Sequence, residues 1–147
     1  MSDLAEVLRK KKQLIEGSEE KISELNKQWC IRIKAFYGYL EDWLSDLIEA
    51  KLILTIYEDI TIYEQSLGVY YAKRFILKAG EEKIEFMPNV RSVVGTTGKI
   101  KMKTKKGNII FLRDRDGIWK QLISKSPFKV RILTKDYLRN LLKTVLT

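Results

Sequence analysis

The sequence predicts an α+β fold: an N-terminal helical hairpin or long amphipathic helix, an antiparallel β-meander, and a C-terminal helix. Three observations carry this. Large apolar residues at Ile22, Leu25, Trp29, Ile33, Phe36, Leu40, Trp43 and Leu47 advance in steps of three or four, close to the roughly 3.6-residue α-helical repeat. Beyond Gly68, short apolar or alternating segments recur about every ten residues with turn residues between them, the pattern of a meander. After Leu133, Thr134 precedes an apolar face of Tyr137, Leu138, Leu141, Leu142, Val145 and Leu146.

The elements follow in order. Residues 2–16 read as a short first helix, with Ser2 as N-cap and Leu4, Val7, Leu8, Leu14 and Ile15 as its apolar face. Gly17 and Ser18 supply a stop and a new N-cap, which predicts a break before the long helix. The competing reading is one continuous helix. Leu8, Ile15, Ile22, Trp29 and Phe36 then form a heptad seam, interrupted at Lys11 and Ser18 on its partner positions. Residues 52–57 and 60–63 either end the helix or begin the sheet, and periodicity does not decide between them. Strands are predicted over 69–78, 83–87, 91–94, 99–105, 109–113, 118–123 and 128–133. The Asp116-Gly117 pair is the strongest turn signal. The expectation is one domain, 1–147, with a helical part over 1–54, a sheet over about 60–133 and a helix over 134–147.

Several chemistries are excluded. The chain has no histidine, which removes Ser-His and Cys-His nucleophilic systems and every His-containing metal site. Its single cysteine, Cys30, forms no internal disulfide and reads as a packed core thiol. Asp42, Asp46 and Glu49 share a helix face, but such a stripe is ordinarily solvated. Residues 114–117 lack ligating partners at the ends of a calcium loop, and Gly95–Lys99 fails the phosphate-loop pattern on both sides. No metal, cofactor or catalytic residue is expected, and the chain reads as a non-enzyme. No apolar run approaches the roughly 20 residues that span a membrane, and the first residues lack the apolar core of a secretory signal. A cytoplasmic protein without membrane contact is expected.

The charge is uneven. Residues 1–50 carry 8 Lys/Arg and 10 Asp/Glu, whereas residues 101–147 carry 13 and 3, within a total net charge of +9. Lys99, Lys101, Lys103 and Lys105 alternate along one segment, and Lys129 and Arg131 repeat the pattern. If the two faces coincide, one sheet surface presents six cations to phosphates. Lysines protecting an edge strand explain the same pattern. The aromatic residues Trp29, Phe36, Tyr39 and Trp43 crowd one helix and mark it as a candidate protein interface. The expected function is therefore a small binding or adaptor protein that meets another protein or a second copy of itself through residues 1–50. The alternative is nucleic-acid binding, without sequence preference, by the Lys-rich C-terminal third.

Overall fold

The computed structural model describes residues 3–64, 68–88 and 97–147, and of residues 15–19 only the backbone. The chain is α+β, as expected. Helix α1 spans Asp3–Trp43 and a short α2 spans Ser45–Glu49. Seven strands follow: β1 Leu54–Glu64, β2 Gly68–Ala79, β3 Glu82–Pro88, β4 Gly98–Thr104, β5 Gly107–Arg113, β6 Trp119–Lys125 and β7 Phe128–Ile132. Helix α3, Lys135–Leu146, ends the chain. The strands form one antiparallel sheet in sequence order, a pure meander.

Two boundaries that the sequence leaves open are decided by the structure. The helix is not broken at Gly17-Ser18, because one interior glycine lowers helix stability by only about 1 kcal/mol and its neighbours are strong helix formers. The ambiguous residues 54–64 are strand β1, paired along its whole length with β2 from Leu54 opposite Lys78 to Glu64 opposite Gly68. The strand expected at 91–94 lies outside the described residues. Thr134 caps α3 as expected, its hydroxyl accepting the Tyr137 N–H at 3.2 Å. The Asp-Gly turn is held by Asp114 Oδ1, which accepts from the N–H groups of Asp116 and Ile118, both at 2.9 Å.

The helices lie on one side of the sheet, and the core sits between. Phe36 is the hub. Its ring centroid lies 4.6 Å from that of Trp119, 5.8 Å from Phe111 and 6.1 Å from Phe86, so one helix residue reaches strands β3, β5 and β6. Tyr37, Leu40 and Leu44 continue the buried stripe, and Leu138, Leu142 and Val145 of α3 join the same core.

Only residues 75–79 of β2 pair with β3, so the first half of β2 and the matching part of β1 run past the sheet as a two-stranded ribbon. Helix α1 covers the backbone this leaves open. Tyr37 Oη donates to the Lys73 carbonyl at 2.6 Å, and Cys30 Sγ donates to the Tyr71 carbonyl at 3.4 Å. Trp29 Nε1 donates to Tyr70 Oη at 3.0 Å. Burial, with Glu64 beside it, raises the Tyr70 phenol pKa, so the hydroxyl stays protonated and can donate in turn.

The Trp29 ring also fixes how closely the helix approaches β4. A Cβ added to Gly98 would lie 2.3 Å from Trp29 Cζ3. Gly98→Ala must therefore displace a fully buried indole. The expected loss is about 1–3 kcal/mol in urea unfolding, the range of core overpacking. Gly38→Ala, whose added Cβ meets nothing within 4 Å on the same helix, should raise stability by about 0.5–1 kcal/mol. Equal effects of the two substitutions would contradict this packing.

Candidate protein interface

Of the aromatic candidates, the structure buries two. Trp29 is 0% and Phe36 1% exposed, so neither offers surface to a partner. The helix is amphipathic because it packs on its own sheet, which accounts for the signal that suggested an interface. Tyr39 and Trp43 do reach the surface. Tyr39 is 51% exposed and stacks on the half-buried Trp43, with ring centroids 5.8 Å apart and planes 18° apart. Beside them Arg139 of α3 donates to the Trp43 carbonyl at 3.0 Å and to both Asp46 carboxylate oxygens, tying α3 to α2. These hydrogen bonds hold the Asp46 pKa below the usual carboxylate range.

The larger exposed surface lies at the other end of α1. Residues 3–14 are exposed on every side. Leu4, Val7, Leu8 and Leu14 are 70%, 49%, 55% and 74% exposed. Among the described residues, Ile22 is the first half-buried side chain of the helix, and Leu25 packs against the core. The preceding part of the helix extends as an arm of roughly 28 Å, at 1.5 Å per residue. Periodicity showed these leucines to be helical. It gave no indication that the sheet ends before reaching them.

The basic face is smaller than the sequence pattern implied. Register places Lys99, Lys101 and Lys103 on the side away from the helices, together with Lys120 of β6. Arg131 faces the other way: it pairs with Gln121, which pairs with Phe111, whose partner is the core residue Ile100. Lys129 lies beyond a register irregularity at 122–124, opposite Ser124. Its strand is the third from β4, about 14 Å away at 4.7–4.9 Å per strand. Lys105 lies past the end of β4 and pairs with Glu82. The six expected cations therefore do not form one surface. Lys83, opposite Lys78, joins the group instead, and Glu85 lies among them opposite Lys103, paired with Arg74 and Lys83.

A cleft of about 570 Å³ opens between α1 and the β1–β2 ribbon. Cys30, Ile33, Tyr37, Tyr57 and Ala72 line it, and Lys27, Lys34 and Lys73 stand among its lining residues. Two of its phenols are committed to the fold. Tyr37 donates to backbone and Tyr57 to Glu41, and burial raises the pKa of both phenols. Among the described residues no cluster of Cys, Asp or Glu could hold a metal ion, and no helix is long and apolar enough to cross a membrane. No known protein family, curated protein or solved structure matches this chain.

Burial also raises the Cys30 thiol pKa. The thiolate is the reactive form, so a raised pKa leaves less of it at neutral pH. Cys30 should react with iodoacetamide more slowly than glutathione does at pH 7.5. Its rate should still be climbing at pH values where the small thiol has reached its plateau. A rate equal to that of glutathione would show the cleft wall to be open.

Proposed function

We propose that this chain is a protein-interaction module whose contact surface is the projecting arm of α1. The carrying observation is the set of four apolar side chains, Leu4, Val7, Leu8 and Leu14, exposed at helical spacing with no described residue covering them. A helix of about five turns with little tertiary support is marginal in water, and burial of one face on a partner is what stabilises such helices. Each leucine fully buried there contributes about 1.5–3 kcal/mol. The exposed Tyr39–Trp43 stack lies far along the same helix from this arm and is not required by the proposal.

The reading is tested with Leu4→Gln, Val7→Gln, Leu8→Gln and Leu14→Gln combined, since glutamine keeps helix propensity. The variant should retain the near-ultraviolet circular dichroism and urea midpoint of the parent, because these side chains touch no core residue. It should lose at least ten-fold in affinity for whatever the arm binds. The readouts are sedimentation of the pure chain and nuclease-treated capture from native lysate. A parent that neither self-associates nor retains any protein the variant releases would overturn the reading.

A second reading rests on Lys99, Lys101 and Lys103 sharing one solvent-facing side with Lys78 and Lys83. Lysine is a flexible point charge, so this face would grip nucleic-acid phosphates without reading sequence. With about four phosphates contacted, log K for a random duplex should fall against log salt with a slope of roughly −3.6. Lys101→Glu with Lys103→Glu should flatten that slope while far-ultraviolet circular dichroism stays unchanged. Absence of any anisotropy change with duplex or single strand at high-micromolar protein would remove this reading.

A further inference from the structure

We infer that the cleft between α1 and the β1–β2 ribbon binds a small amphiphilic anion, a molecule with an apolar body and one negatively charged head. The inference is independent of the arm. At about 570 Å³ the cleft falls within the roughly 300–1,000 Å³ of small-molecule sites. Ile33 of α1 and Ala72 of β2 line it from either side. The Tyr37 hydroxyl donates to the Lys73 carbonyl at 2.6 Å, and that of Tyr57 donates to Glu41. Neither phenol has a proton left for a ligand, so both rings contribute apolar surface. A polar group seated among them would lose water without gaining a partner, which selects an apolar body. Ile31 and Tyr71, 59% and 75% exposed, carry the apolar lining out to the mouth.

The charge of the head follows from the other lining residues. Lys27 and Lys34 stand on the helix side and Lys73 on the ribbon side, and among the described residues no carboxylate lines the cleft. Residues 25–40 of α1 hold Lys27, Arg32 and Lys34 and no acidic residue. The carboxylates that lie nearby have partners of their own. Glu24, one turn before Lys27, accepts from Gln28 at 3.4 Å, and Glu41 accepts from Tyr57. Asp59 pairs with Lys73 at 3.6 Å, but both side chains are mostly exposed, so this contact is weak and readily exchanged for a ligand head. Two contacts between helix and strand bracket Lys34. Cys30, one turn before it, meets the Tyr71 carbonyl, and Tyr37, one turn after it, meets the Lys73 carbonyl. Lys34 therefore stands opposite residues 71–73. A head held between Lys34 and Lys73 leaves its apolar body on Ile33, Tyr37 and Ala72. Lysine is a point charge without a planar fork, so the pair accepts a carboxylate or a phosphate head alike.

The experiment uses the full chain and three probes: decanoate, decyl phosphate and the uncharged decan-1-ol. Calorimetry should show one decanoate bound per chain, with decanol weaker by about ten-fold or more. Bound decanoate should slow the reaction of Cys30 with iodoacetamide several-fold, because Cys30 lines the same cleft. Lys34→Gln with Lys73→Gln changes two exposed side chains and should keep the urea midpoint of the parent. It should weaken decanoate by about ten-fold or more and leave decanol within about two-fold. Lys34→Arg with Lys73→Arg keeps both charges and should bind decanoate within about three-fold of the parent. Decyl phosphate separates the two kinds of head, and tight binding of either supports the inference. No saturable binding of decanoate or decyl phosphate at millimolar concentration would overturn it. So would equal affinity for decanol, binding that leaves Cys30 alkylation unchanged, or a glutamine variant that binds like the parent. If the glutamine variant does not fold, the decanol comparison, the arginine variant and the protection of Cys30 decide the matter.

Discussion

A single antiparallel sheet with helices on one side has to bury one face against a limited amount of helix. Phe36 meets that constraint. It sits where α1 crosses the middle strands and contacts aromatic rings from β3, β5 and β6. Trp29 on one side and Tyr37 on the other extend the contact to Gly98 and to the β1–β2 ribbon. Both also place a polar hydrogen where the ribbon needs one. Buried indole and phenol groups are favourable only with such partners. The ribbon's open backbone and the helix's polar aromatics therefore stabilise each other. This is why β2 can run seven residues beyond its last pairing with β3 without a strand on that side.

The same constraint explains the arm. Large aromatics finish at Trp29, and no described strand covers the first turns of the helix. The residues that precede it are Lys, Glu, Gln, Leu and Ala for the most part, all strong helix formers. Local propensity thus continues the helix past the point where the core stops supporting it. Leu4, Val7, Leu8 and Leu14 of that overhang contribute nothing to covering the sheet, since all four are exposed. Their helical spacing on an exposed element is what the interaction reading rests on.

What the sequence revealed and what it hid divide by contact range. The helical stripe, the Thr134 cap and the Asp-Gly turn are local: period, capping and turn chemistry each act within a few residues. The strand at 54–64 was hidden because Leu52–Tyr57 is equally apolar as a helix end, and only pairing with β2 decides it. Trp29 and Phe36 looked like interface because amphipathicity shows that a face is buried and not by what. The face of Arg131 depends on register carried across β5 and β6, and a one-residue difference moves a side chain to the other side of the sheet. The irregularity at 122–124 further separates Lys129 from a simple count of alternation.

Charge behaves the same way. The C-terminal third is strongly basic in sequence, yet folding distributes its cations. Lys99, Lys101 and Lys103 go to the open sheet face, Arg131 to the helix side and Arg139 to a bridge with Asp46. Lys120 pairs with Asp114, and Lys106 donates to the Thr144 carbonyl at the end of α3. Several of these cations join elements of the fold and are not free to concentrate a field on one partner. On the arm the opposite holds. A helix separates residues by a fixed rise, so Arg9, Lys10, Lys11 and Lys12, adjacent in sequence, remain adjacent along the axis. Asp3 and Glu6 before this run and the carboxylates after it leave residues 3–21 with no net charge, so any selectivity of the arm comes from where its charges lie and not from an excess.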